Sequence, residues 1–146
     1  MCCLNSRRAA TTIVLNHLGT PLHFGAYRNR PKEVFADWRR ALRDLARCEN
    51  VVVKLGGLGM DLDGEIGAHP RNLGSEALAI GWAPYIETAV EAFGPRRCMF
   101  ESNFPPDRAT CSYGALWNAY KRISRQYSQE ERASFFAGTA ARTHRI

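Results

Sequence analysis

Long apolar runs are missing from this sequence. Nothing in it approaches the roughly 20 consecutive apolar residues of a membrane helix, and the opening "MCCLNSRRAATT" has no apolar centre of the kind a secretory leader requires. Paired cysteine motifs are missing too. The five cysteines, Cys2, Cys3, Cys48, Cys98 and Cys111, are odd in number and without CxxC spacing, which indicates neither a zinc ribbon nor a disulfide framework and leads us to expect a reducing, cytoplasmic setting. Blocks of like charge are absent as well: the net charge of +6 is spread along the chain, so a solvated basic surface is expected and no nucleic-acid partner. There is no internal repeat and no low-complexity tract.

What is present is ordinary globular material, 146 residues with 45% hydrophobic and 10% aromatic content, enough for one domain with a core. "TTIVLNH", Thr11 to His17, is apolar on both faces, as a strand buried on two sides must be, and "GTP" ends it. "RPKEVFADWRRALRDLARC" places Pro31 at a first helical position, with Val34, Phe35, Trp38, Leu42 and Leu45 along one face. "NVVVKLGGL" is a second strand, Asn50 to Leu55, closed by the Gly-rich "LGGLGMDLDGEIG" loop. Ser75 is expected to cap a helix that Pro84 kinks or restarts and that Gly94 and Pro95 stop. "RCMFES", Arg97 to Ser102, is the third strand; a helix follows over Tyr113–Ile123, and the capping box "SQEE" at Ser128–Glu131 opens the last one. The order β-α-β-α-β-α-α implies a parallel sheet covered by helices, an α/β fold.

Each strand ends on its C-terminal side in a polar cluster: Asn16 and His17, then Lys54, then Glu101 to Asn103. The last is the most pointed, because the Pro105–Pro106 pair forces the chain out of the sheet right after a carboxylate, a hydroxyl and an amide. Ligands of parallel α/β folds collect at that edge. Read from residue type alone, His17 is a structural histidine or a ligand. Lys54 is a snorkelling lysine or a contact for an anionic substrate, and Glu101 pairs with a rim arginine or handles protons. Asp107 reads as a turn or helix-cap acid, and His23 and His69 as solvated loop residues. The Trp38, Trp82 and Trp117 rings read as packing residues.

The segments "IVLNHLGTP", "NVVVKLGGLGM", "FGPRRCMFESNFPPD" and "SQEERASFFAGTAARTHRI" together resemble the C-terminal half of the amidohydrolase-related family, metal-dependent hydrolases of TIM-barrel fold that include lactonases of the pyrone-dicarboxylate and fuconolactone types. The resemblance covers Thr11 to Ile146 in order and spacing and does not extend to residues 1–10. It implies a partial (β/α)8 barrel of about three parallel strands with covering helices, since a whole barrel takes about 250 residues. It further implies hydrolysis of a C–O or C–N bond in a small carboxylated or lactone substrate. In the complete barrel His17 would then be a metal ligand or substrate contact, with zinc or manganese as the metal. Asn103 stands where relatives often carry Asp; an amide is a weak ligand and no general base, so its role would be to orient substrate or water, with Glu101 in reserve for proton transfer. Lys54 would meet the substrate.

The family's His-x-His segment has no counterpart here, so metal binding by this chain alone is expected to be weak or absent, and the chain reads as a fragment or truncated product. A non-catalytic remnant of such a barrel is the alternative. An open barrel edge would expose apolar strand surface and favour self-association.

Overall fold

The computed structural model describes residues 11–22, 25–60 and 72–146. Three strands, β1 (Ile13–Leu15), β2 (Val51–Leu55) and β3 (Cys98–Phe100), form one parallel sheet in the order β1-β2-β3, with Ile13 opposite Val51 and Val53 opposite Cys98. This is the sheet that the alternating apolar segments imply. The outer strands are shorter than expected. Pairing of β1 begins only where the Ile13 N–H reaches the Asn50 carbonyl at 2.9 Å, and a left-handed turn starting at His17 ends it. In β3 the ladder stops at Phe100, so Glu101 and Ser102 lie beyond the strand.

Burial of β2 alternates. Val51, Val53 and Leu55 are fully buried against the helices, whereas Val52 and Lys54 on the other face are only half-buried. Ile13 of β1 is 38% exposed, so this strand is not covered on both sides as its composition predicted. The physical reason is that β1 packs chiefly on β2, whereas β3, also at an edge among the described residues, is covered by helices that follow it and by the helix at Ser75–Phe93.

Helix α1 (Pro31–Ala46) has Pro31 in its first turn and buries Trp38, Leu42 and Ala46. Helix α2 (Ser75–Phe93) departs from expectation twice. Gly74, not Ser75, precedes the first turn, and the Ser75 hydroxyl instead accepts from Arg122 Nε at 3.0 Å. Pro84 lies inside one continuous helix. It sits on the exposed face, where the carbonyl that loses its N–H donor can be met by water. Gly94, at φ +77, ends the helix, with its N–H on the Val90 carbonyl at 2.9 Å. Helix α3 (Tyr113–Ile123) is capped by Ser112 Oγ, which accepts from the Ala115 N–H at 3.2 Å. The Ser128–Glu131 capping box opens α4 (Gln129–Ala133), and a π-helical turn at Ser134–Gly138 separates α4 from α5 (Thr139–His144).

At the sheet edge away from the polar tips, Arg97 is the tie. Its guanidinium donates to the carbonyls of Phe93, Cys48 and Ala46, each at 2.9 Å, and so joins the ends of α1 and α2 to the start of β3. Charge-assisted bonds of this kind contribute more than neutral ones. Arg97→Leu is therefore expected to lower unfolding stability by about 2 kcal/mol, read as a lower urea midpoint. An unchanged midpoint would show that water replaces these bonds without loss.

Candidate active site

The chain leaves β1 through an unusual turn. His17, Leu18, Gly19 and Thr20 all have positive φ, at 52°, 55°, 71° and 51°. For residues bearing a Cβ this conformation costs about 1–2 kcal/mol each, so it persists only where surrounding contacts over-determine it. Here they do. Leu18 is fully buried, its carbonyl accepts from Trp38 Nε1 at 2.7 Å, and the Thr20 N–H closes the turn on the His17 carbonyl at 2.8 Å.

The remaining anchor of that turn is Glu101. Its Oε1 accepts from the His17 backbone N–H at 2.9 Å and lies 2.6 Å from His17 Nδ1. Its Oε2 is 3.7 Å from Lys54 Nζ at the end of β2. One carboxylate thus collects groups from the tips of β1 and β2 while standing just past β3. Behind it, the Glu101 carbonyl accepts from the Tyr120 hydroxyl at 2.9 Å, and the buried Tyr120 ring stacks on Phe100 with centroids 4.4 Å apart. The rim arginine expected for Glu101 is replaced by histidine and lysine, because those side chains end the two neighbouring strands. An ionised carboxylate can only accept, so His17 carries its proton on Nδ1 and, when neutral, presents the Nε2 lone pair outward.

Close approach is possible only because β2 ends in two glycines. A Cβ on Gly56 would stand 2.5 Å from Glu101 Cγ, and one on Gly57, itself at φ +72, would stand 2.6 Å from His17 Cβ. The "GG" of "KLGG" is therefore part of the site and not loop filler.

Asn103 and Asp107 form the other half of the cluster. After the prolines the chain doubles back, with the Asp107 N–H on the Asn103 carbonyl at 3.2 Å and the Thr110 and Cys111 N–H groups on the Asp107 carbonyl, both at 3.1 Å. The turn expected at Asp107 is made by its backbone. Its carboxyl caps nothing: it is 0% exposed, lies against Gly59, and neither oxygen completes a well-formed hydrogen bond. The buried Nδ2 of Asn103 likewise lacks one. Burial pushes the Asp107 carboxyl up to about 6; the Asn103 side chain and the Gly59 backbone pull the other way, the charge of Glu101 adds to the rise, and His17 offsets it. The residue types alone did not single Asp107 out as a site residue. The signal was its spacing, four residues past Asn103 behind a Pro-Pro pair that turns the chain back.

His23 and His69 lie outside the described residues, as do Cys2 and Cys3, while Cys48, Cys98 and Cys111 are buried and form no disulfide with one another. His144 ends α5. Among the described residues no group of three or more His, Cys, Asp or Glu side chains is gathered to hold a metal ion. None of the described helices is long and apolar enough to cross a membrane.

A parallel sheet whose C-terminal edge carries a histidine held by a carboxylate is a common frame for barrel hydrolases, and comparison with known proteins agrees. The amidohydrolase family model matches residues 4–146, and the chain belongs to that family. It is 38% identical over 134 residues to y4mH, an uncharacterised protein of Sinorhizobium fredii, covering 92% of this chain and 39% of that one. It is 33% identical over 142 residues to an L-fucono-1,5-lactonase of Burkholderia multivorans, covering 97% of this chain and 45% of the lactonase. A crystal structure of a B. multivorans amidohydrolase with bound zinc superposes with a TM-score of 0.78 at 30% identity, covering 97% of this chain and 46% of that one. The chain spans less than half the length of these relatives, and its fold is the corresponding part of an amidohydrolase barrel.

The raised Asp107 carboxyl has a consequence for stability. Its folded value, about 6, lies above the ordinary 3.8, so the native state holds the proton more tightly than the unfolded chain. The resulting stabilisation is fully present below about pH 4 and is lost as pH rises through 6, at most about 3 kcal/mol. Asp107→Asn is expected to flatten the stability profile between pH 4 and 7 in urea titrations. A variant with the same slope as the parent would place that slope in another group.

Proposed function

We propose that this chain carries the C-terminal edge of the active site of a hydrolase that opens a C–O or C–N bond in a small carboxylated substrate, a lactone being the first choice. The observation that carries the reading is the Glu101-held His17, set on a strained turn at the ligand edge of the sheet. The lactonase activity named for the B. multivorans relative supports the substrate class.

In this reading a water attacks the acyl carbon, the ring C–O bond breaks, and the proton lost by the water is delivered to the departing oxygen. Glu101 holds the imidazole by Nδ1, so that Nε2 of His17 faces the substrate oxygen or the proton in transit. Asn103 orients the water or substrate by a hydrogen bond. Lys54, only loosely paired with Glu101 at 3.7 Å, is free to meet the substrate carboxylate.

The zinc-bound relative raises the question of a metal. His17 Nε2 is the one ligand that the cluster presents, whereas a catalytic zinc takes three protein ligands, so the described residues do not by themselves make a metal site. A divalent ion, zinc or manganese, would need ligands from the rest of a complete barrel, where it would supply a water activated for attack. The flank of β1 that has no strand neighbour among the described residues, with Ile13 exposed, supports self-association of the chain in isolation.

Two measurements test this. The chain alone is expected to lose zinc and manganese on dialysis against chelator; a stoichiometric ion that survives would overturn the single-ligand reading. In a complete barrel built around these strands, Asn103→Ala is expected to slow hydrolysis of L-fucono-1,5-lactone roughly ten- to a hundredfold, as loss of one buried hydrogen bond does. Unchanged turnover in Asn103→Ala would make the strand-tip amide structural.

A further inference from the structure

The polar side chains around Asp107 are nearly all engaged elsewhere. Tyr120 donates to the Glu101 carbonyl, Thr110 Oγ1 to the Gly59 carbonyl, and Cys111 Sγ to the Asp107 carbonyl rather than to its carboxyl. His17 and Lys54 are both turned to Glu101. One donor is left. Asn103 Nδ2 is buried without a partner, beside a fully buried carboxyl whose oxygens also lack one. Two orphaned and complementary groups, four residues apart on a turn closed by their own backbone bond, are in register for each other.

We infer that Asp107 is a positioning residue: its carboxylate takes the Asn103 N–H, so the amide turns Oδ1 into the site and works there as a hydrogen-bond acceptor. Asn103 as a whole is only half-buried although its nitrogen is sealed, which leaves the oxygen as its open end. The group that meets it must then be a donor, either the attacking water or a ligand hydroxyl, and not a carbonyl or carboxylate oxygen. An oxygen acceptor is thereby kept at the strand tip, without a charge. Only this choice of ligand group rests on the hydrolytic reading above; the orientation of the amide does not.

The test needs no activity. In the full 146-residue chain, NMR of the Asn103 side-chain amide is expected to show slow solvent exchange and a shift that follows ionisation of Asp107, with a midpoint near 6. Other ionisable groups face Asp107 as well, namely Glu101, His17, Tyr120 and Cys111. Glu101→Gln is therefore a control, expected to lower the midpoint while keeping the amide response. Asp107→Asn should abolish the response. Asn103→Ala should raise the Asp107 midpoint, followed at its carboxyl carbon, by roughly half to one unit, because the anion loses its donor. Should Asp107→Asn not fold, the wild-type titration and Asn103→Ala decide alone. A freely exchanging amide blind to Asp107, or an unmoved midpoint in Asn103→Ala, overturns the inference. An intact amide response in a complete barrel that hydrolyses no lactone would sustain it while removing the hydrolytic reading.

Discussion

The carboxylate of Glu101 is the point on which the ligand edge of this sheet depends. Strands in a parallel sheet are joined by their ladders, but past the paired residues the backbone offers, among the described residues, one long bond at 3.5 Å, from the Glu101 N–H to the Leu55 carbonyl, to hold the tips of β2 and β3 together. Glu101 does so with one group, binding the His17 backbone and ring from the tip of β1 and standing within reach of Lys54 from β2. Its own carbonyl is fixed from behind by Tyr120. Remove the carboxylate and three consequences follow together: the His17 N–H is orphaned, the imidazole loses its orientation, and the positive φ of the β1 turn loses an anchor.

Strain in that turn is offset by burial close by. Leu18 enters the core, and Trp38 spends its only donor on the Leu18 carbonyl, so α1 helps to hold the histidine in place. Gly56 and Gly57 contribute by having no side chain, which lets the β2 tip touch both Glu101 and His17. The geometry of the cluster is thus set by packing and by glycine as much as by polar contacts. This is why the functional groups sit where the backbone is least regular.

Much of the fold was legible in the residues, and the reason is periodicity. Continuous apolar runs such as "NVVVKL" and helical stripes such as Trp38 and Leu42 report burial directly. Pro84 does not restart the helix, because it stands on the exposed face where water can meet the freed carbonyl, and exposure is not written in the local sequence. β1 misled for a similar reason, since "TTIVLNH" is suited to two buried faces but sits at an edge. In the site, polar residues at strand tips could be read as candidates, whereas their partners could not. That Glu101 takes His17, 84 residues away, is a fact of sheet order and strand length. Asp107 stayed hidden because its burial comes from the fold of the β2 loop, where Gly59 lies against it.

The amide at position 103 becomes intelligible once Asp107 is in view. Two buried carboxyls sharing one small space do not both ionise; one is driven to keep its proton, and the pair titrates as a unit. Asp107 already carries a burial-raised carboxyl with the charge of Glu101 nearby. An aspartate at 103 would add a third acid to that space and would leave Asp107 with the Gly59 backbone as its remaining donor among the described residues. An asparagine there does the opposite, since its N–H favours the charged form of Asp107 while its oxygen stays available on the open side. Amide at 103 and acid at 107 are therefore one arrangement, and either residue changed alone leaves the other buried without its complement.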